Sequence, residues 1–158
     1  MSVFNPEQFA QTQFKGEIDT KIIPIPAGDY RGQISKWELK KINTKEGERG
    51  ILELTWDILD EAVKKATGFN KPSSRQGIFL DLTADGKSLD FSKDSEGRQK
   101  NRSLGVVLEA VGIDPAKGWR FQQLQDKLAT VKVTHRPNEN DPDAPPYSEI
   151  KKVAKLKA

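Results

Sequence analysis

Cations and aromatic residues recur together along this 158-residue chain. The stretch KKINTKEGER, residues 40–49, holds Lys40, Lys41, Lys45 and Arg49, with Trp37 just before it. Phe69 is followed by Lys71 and Arg75, and then by Phe79 within QGIFLDLTA. Nearer the end come Lys132, Arg136, Tyr147 and Lys151. Lysines and arginines along a groove replace the counterions of a phosphate backbone, and exposed rings offer faces on which unpaired bases stack. Each residue also has a plainer reading, because loop cations are mostly just solvated and rings mostly pack.

A second chemistry needs carboxylates beside a lysine, which bind magnesium and activate water. Asp81 with Asp85 and Lys87 fits that pattern, and so does Glu38 with Lys40. With 23 acids and 26 bases in the chain, such spacings arise by chance. DGKS at 85–88 lacks the upstream glycine of a phosphate-binding loop. The chain has one histidine, His135, and no cysteine. That excludes disulfides and thiolate metal sites and removes most imidazole-based hydrolysis. The expectation is a non-catalytic protein with no metal and no cofactor.

Composition agrees with a polyanion-binding class without demanding it. The net charge is +3 and the isoelectric point is near 9.0, a mild bias. Charged residues make up 31% and mean hydropathy is -0.69, which describes a wet protein with a modest core. No apolar run approaches the roughly 18 residues that a membrane span needs. MSVFNPEQFAQ carries neither the basic nor the apolar region of a signal peptide. The cytoplasm is the expected location, with no membrane partner.

The elements that must position these residues follow from periodicity. Residues 1–27 read as an arm packing on a domain that spans 28–158. Asn5-Pro6-Glu7 starts a short helix. Phe4, Phe9 and Phe14 recur every five residues, a spacing that suits neither helix nor strand. An extended segment then runs through Ile22, Ile23 and Ile25. The first strand, 28–39, shifts its apolar phase between Ile34 and Trp37, as a bulge would make it do. Residues 40–49 read as a loop. The second strand, 50–60, has Leu52, Leu54, Trp56 and Ile58 on one face and Glu53, Thr55 and Asp57 on the other. Those outward acids count against phosphate binding on that face.

Residues 61–75 are ambiguous between a helical turn and a loop. The third strand is QGIFLDLTA, with Phe79 opposite Ile78 and Leu80, and SLDFS adds a short return strand. Leu104, Val107, Leu108 and Val111 predict a helix that Gly112 stops and that Asp94 or Ser95 caps. A short helix follows over 121–127. The fourth strand, 128–136, turns Ala129, Val131, Val133 and His135 inward. Residues 138–146 are acidic and proline-rich and read as loop, with 147–156 as a fifth strand of imperfect alternation.

Five strands with a helix between the third and fourth make a mainly β protein. The order is that of an OB-fold, a five-stranded Greek-key barrel. A sheet with a helix on one side is the rival.

Three stretches carry a resemblance: IPIPAGDYRGQI, RSLGVVLEAVGI and ATVKVTHR with the later YSEIKKV. In these the chain resembles the small OB-fold single-stranded-DNA-binding proteins of tailed phages. The resemblance implies sequence-tolerant binding and protection of single-stranded DNA in phage replication or recombination, inside the bacterial host's cytoplasm. Phage replication or recombination proteins would be its partners. The acidic tail with which many proteins of this functional class recruit partners is replaced here by the basic KKVAKLKA. The rival functions are a protein-interaction module using the Phe-bearing arm and, less well supported, a metal-dependent nuclease.

Overall fold

The computed structural model describes residues 3–18, 23–45 and 47–156. Five strands form one antiparallel sheet: β1 (Gly28–Thr44), β2 (Gly47–Ile58), β3 (Ser73–Leu80), β4 (Leu128–Arg136) and β5 (Tyr147–Ala154). Their order in the sheet is β3-β2-β1-β4-β5. Among the described residues the α-helices are α1 (Pro6–Ala10), α2 (Glu61–Thr67) and α3 (Arg102–Ala110), and the short helix expected over 121–127 is a 3-10 turn, Phe121–Leu124.

β1 organises the sheet because it belongs to two ladders. Residues 28–33 pair with β4, and residues 32–44 pair with β2. Between these roles the register slips at Ser35, so Ile34 faces Trp56 while Lys36 faces Thr55. The expected bulge is there, and it bends the strand. A Cβ on Gly32 would meet Trp56 and Val131 side chains at 3.1 Å. Glycine is what lets the curled strand lie against both of these core side chains at that point.

β1 and β2 run further than their apolar pattern. They continue through Thr44 and from Gly47, so residues 40–49 are a hairpin and not a loop. Backbone pairing holds polar strand ends that hydropathy cannot mark. The ambiguous 61–67 is helical: Asp60 caps it by accepting from Val63 N at 3.0 Å. SLDFS contributes only a bridge from Leu89 to Leu82.

The core lies on the inner face of the sheet, where Ile34, Leu52, Leu54, Trp56, Val131 and Val133 are fully buried. Trp56 keeps its polar edge satisfied, donating from Nε1 to Gln76 Oε1 at 2.9 Å. β5 explains its own imperfect alternation. Lys132 pairs with Lys152 while Val133 pairs with Ile150, so Lys151 is an extra residue in a bulge. That bulge lets Ile150 and Val153 both face inward.

No ladder joins β3 to β5 among the described residues, so the sheet stays open at this seam. Helix α3 packs against both strands there, presenting Leu104, Val107 and Leu108. The Ser74 hydroxyl also reaches across to the Ser148 carbonyl, at 3.2 Å.

The expected cap of α3 needs correction. Asp94 instead closes a turn, accepting from Glu96 N and Arg98 N at 2.9 Å. The cap is Asn101, held at φ 58. Its side chain binds Asp81 N, Asp81 O and Asp90 O at 2.8–2.9 Å. Asn is among the few residues that adopt this conformation at modest cost. Here it staples the end of β3 to the loop and the helix start.

The arm divides in two. Asn5 caps α1 as expected, accepting from Gln8 N at 3.3 Å. Phe4, Phe9 and Phe14 remain exposed and pack on one another, with centroids 5.1 and 4.8 Å apart. The expected extension through Ile22 lies outside the described residues. Ile25 is buried, and both its backbone groups are held. Its N–H donates to Ser148 Oγ at 2.7 Å, and its carbonyl accepts from His135 Nε2 at 2.6 Å. His135 therefore faces the arm and not the core, as the sequence phase had placed it. Tyr30 adds a bond from its hydroxyl to Pro26 O at 2.6 Å. Burial, then the nearby Asp60, raise the Tyr30 pKa, so the hydroxyl stays a donor.

Candidate nucleic-acid interface

Beyond the bulge, the outward residues of β1, β2 and β3 fall into rows set by register. Lys36, Thr55 and Arg75 form the first row. Glu38, Glu53 and Gly77 form the second. Lys40, Ile51 and Phe79 form the third, with Arg49 beyond it opposite Ile42. The face thus alternates a cationic row, an acidic row and a mixed aromatic row.

Phe79 stands 48% exposed in the third row. The Arg49 guanidinium lies over it, 4.6 Å from the ring centroid. It is also 3.6 Å from Asp81 Oδ1. One face of the half-exposed Phe79 ring is thus covered by a cation.

The outward acids are not bare. Lys40 Nζ lies 3.3 Å from Glu53 and 3.7 Å from Glu38. Arg75 lies 3.8 Å from Glu53, and Lys36 lies 3.8 Å from Glu38. Asp57 accepts from the Ser35 hydroxyl at 3.0 Å. Half-exposed pairs of this kind are weak, so an incoming phosphate can compete for the cations. The repulsion expected from Glu53 and Asp57 is therefore largely answered within the face.

The seam between β3 and β5 opens a second feature, a cleft of about 1050 Å³. Phe69, Arg75, Arg136 and Tyr147 line it. The Arg136 guanidinium is 5.9 Å from the Tyr147 ring centroid and 3.8 Å from Glu149. Asn138, Pro145 and Pro146 of the acidic loop form one wall, and Ile23–Ile25 of the arm another. Arg75 contributes to the cleft and to the outer face alike.

The sequence candidates therefore do not form one site. Lys40, Arg49, Arg75 and Phe79 meet on the outer face. Phe69, Arg136 and Tyr147 meet in the cleft. Lys41, 3.2 Å from Glu48, and Lys45 stand at the hairpin end. Lys71 is exposed between α2 and β3. Lys132 sits on another part of the sheet, flanked by Asp29 and Lys152, and Lys151 is exposed in its bulge.

Trp37 turns away from the outer face. It is half-buried opposite Leu54 and stacks on Phe121 at 6.1 Å, with Trp119 edge-on to that ring. Of its two sequence readings, packing is the one the fold realises.

Sequence reasoning missed Lys36 and Ile51 on the outer face. Their signal was present: each lies in the phase opposite the core residues. It was obscured for Lys36 by the phase change at Ser35.

The carboxylate–lysine sets are otherwise engaged. Asp81 Oδ2 accepts from Asn101 N at 2.9 Å. Asp85 Oδ1 accepts from Thr83 Oγ1 at 2.6 Å and from Lys87 N at 3.0 Å, which holds its pKa below the usual range. Glu38 and Lys40 are partners in the ion pairs above. Among the described residues no group of three or more His, Asp or Glu could hold a metal ion. Nor is any described helix long and apolar enough to cross a membrane.

No family model matches the chain, and no curated protein matches it.

Proposed function

We propose that the chain is an OB-type barrel that binds single-stranded DNA without catalysis, in phage replication or recombination. Strand order supports the barrel reading, as does a curled β1 shared by two ladders, with α3 packed against both strands of the seam. The observation that carries the functional reading is the Phe79 platform on β3. It is half-exposed, has Arg49 over its ring, shares its row with Lys40, and lies two rows from Lys36 and Arg75. Unpaired bases stack on the ring while phosphates take over cations now held by Glu38 and Glu53. Arg75 leads the strand toward the cleft, where Phe69 and Tyr147 offer further rings.

The test is anisotropy of a labelled thymine oligonucleotide titrated at low and high salt, with duplex as control. The expected result is binding to the single strand, weakened by salt and much weaker for duplex. No binding at low salt would redirect attention to the exposed Phe4–Phe9–Phe14 cluster and a protein partner.

A further inference from the structure

Two contacts meet at Arg49. Its guanidinium lies 4.6 Å from the Phe79 ring centroid, and its Nη2 lies 3.6 Å from Asp81 Oδ1. Asp81 is itself fixed by Asn101. The Asp81 N–H donates to Asn101 Oδ1 at 2.8 Å, and its carbonyl accepts from Asn101 Nδ2 at 2.9 Å. Asp81 Oδ2 accepts from Asn101 N, also at 2.9 Å. The other oxygen, Oδ1, is the one that meets Arg49. Phe79 and Asp81 are two residues apart at the end of β3, and alternate residues of a strand share a side. A guanidinium drawn to Asp81 therefore comes to rest over the ring.

Of the neighbours of the ring, Arg49 is the one free to leave. The next outward position on β3 is Gly77, and Ile51 fills the space there: a Cβ on Gly77 would meet Ile51 Cδ1 at 3.2 Å. Ile51 stands directly opposite Phe79 and is fixed by the ladder. Arg49 is instead a long side chain in a partly exposed ion pair, and such pairs are weak. A cation over an exposed ring is also worth less than a stacked base. Arg49 lines a cavity of about 740 Å³ together with Lys41, Lys100 and residues 83–86, which gives the guanidinium room to move.

Resting on the single-strand reading above, we infer that Arg49 is a lid on Phe79 and that Asp81 is its positioning residue. In the free protein Asp81 holds the guanidinium over the ring. An arriving base takes that face of the ring, and Arg49 turns from Asp81 to the phosphate beside the base. The cation stays in the site and changes partner, from a carboxylate to a phosphodiester. Asp81 thus opposes binding, and it opposes most strongly a ligand that offers phosphate without an unpaired base.

The experiment follows Arg49 itself. Its side-chain Nε–H and Hδ resonances are recorded by NMR as oligothymidine is added to the wild-type chain. Protons over an aromatic ring are shifted upfield by the ring current, and Phe79→Ala marks the unshifted position. The expected result is an upfield-shifted Arg49 in the free chain that moves to the Phe79→Ala position at saturation. In parallel, anisotropy titrations over a range of salt compare the wild type with Asp81→Asn, Arg49→Ala and Glu48→Gln. Asn at 81 keeps an acceptor for Asn101 N and gives up the charge that holds Arg49. Asp81→Asn should bind about two- to fivefold tighter at low salt, the range that release of one weak ion pair covers. Arg49→Ala should lower the salt slope by about 0.7, one single-strand phosphate contact. Glu48→Gln makes the same change in net charge beside Arg49 and should gain less. An Arg49 resonance that stays upfield at saturation, or is unshifted in the free chain, overturns the lid and leaves the single-strand reading standing. Equal gains from Glu48→Gln and Asp81→Asn overturn the role of Asp81, because net charge alone then accounts for both. The NMR series on the wild type decides the lid even if Asp81→Asn fails to fold. Absence of binding at low salt overturns both the lid and the single-strand reading.

Discussion

The outer face of β1–β2–β3 and the cleft at the β3–β5 seam bring the same residue types together by different means. On the outer face, register does the work. Lys36, Lys40, Arg75 and Phe79 project from paired strands, so their spacing is fixed by the ladder, and each of these cations is matched by Glu38 or Glu53. In the cleft, Phe69 and the acidic loop come from connecting segments, and the walls include the arm. The difference teaches where affinity and adaptability should reside. A strand-borne platform is preorganised and loses little entropy on binding, whereas a loop-borne ring such as Phe69 must be ordered first.

The largest expected effect follows from the platform. Phe79→Ala should weaken single-strand binding by roughly five- to a hundredfold, the range that loss of one stacking ring covers. Circular dichroism should show the fold intact, because the ring is exposed. Next comes the cleft. Phe69→Ala and Tyr147→Ala together should cost less than Phe79→Ala alone, about two- to fivefold, because the gain at the loop residue Phe69 is offset by ordering and Tyr147 stands at the very start of its strand. If the cleft pair costs more than the platform, the ranking of the two regions is reversed.

This comparison also marks what was legible in the sequence. The period-two pattern of Leu52, Leu54, Trp56 and Ile58 gave the phase of β2, and the phase shift before Trp37 gave the bulge in β1. Phe79 could be seen as outward for the same reason. What the pattern could not supply was partnership. The ladder through Thr44 is held by backbone bonds between polar residues, so Lys40 and Arg49 read as loop cations. Glu53 read as a repulsive charge because its partners Lys40 and Arg75 lie on two other strands. Asn101 gave no cap signal, since its side chain reaches across to Asp81 and Asp90 and not along its own helix. The inward reading of His135 failed because its ring turns to the carbonyl of the arm residue Ile25 and stays exposed.

A smaller effect should come from the acidic loop. Removing residues 138–143 takes away Glu139, Asp141 and Asp143 from the loop whose Asn138 and Ala144 line the cleft together with Arg136. Binding should tighten by about two- to threefold at low salt, and the gain should vanish at high salt as screening removes the repulsion. The same deletion should leave the effect of Phe79→Ala unchanged, since the loop belongs to the other region.

The smallest expected effect concerns pH. Hydrogen bonds from Ser92, then Lys100, hold the Asp90 carboxyl well below the usual carboxylate range. Its folded pKa is depressed, so its contribution to stability is complete above the unfolded value near 4 and is lost as pH falls through the folded one. Amide exchange in residues 81–100 should therefore hold steady from neutral pH down to about 4 after correction for intrinsic rates. Acceleration between pH 7 and 5 would mean that another group holds the loop.

Photo-crosslinking locates the bound strand most directly. A 5-iodouracil oligonucleotide irradiated with the protein joins to an aromatic ring on which the base rests. The account predicts that the modified peptide contains Phe79 and that the half-buried Trp37 and Trp119 are spared. Crosslinks concentrated on Trp37, Trp119 or Phe121 would place the strand on the opposite face of the β1–β2 hairpin and contradict the account.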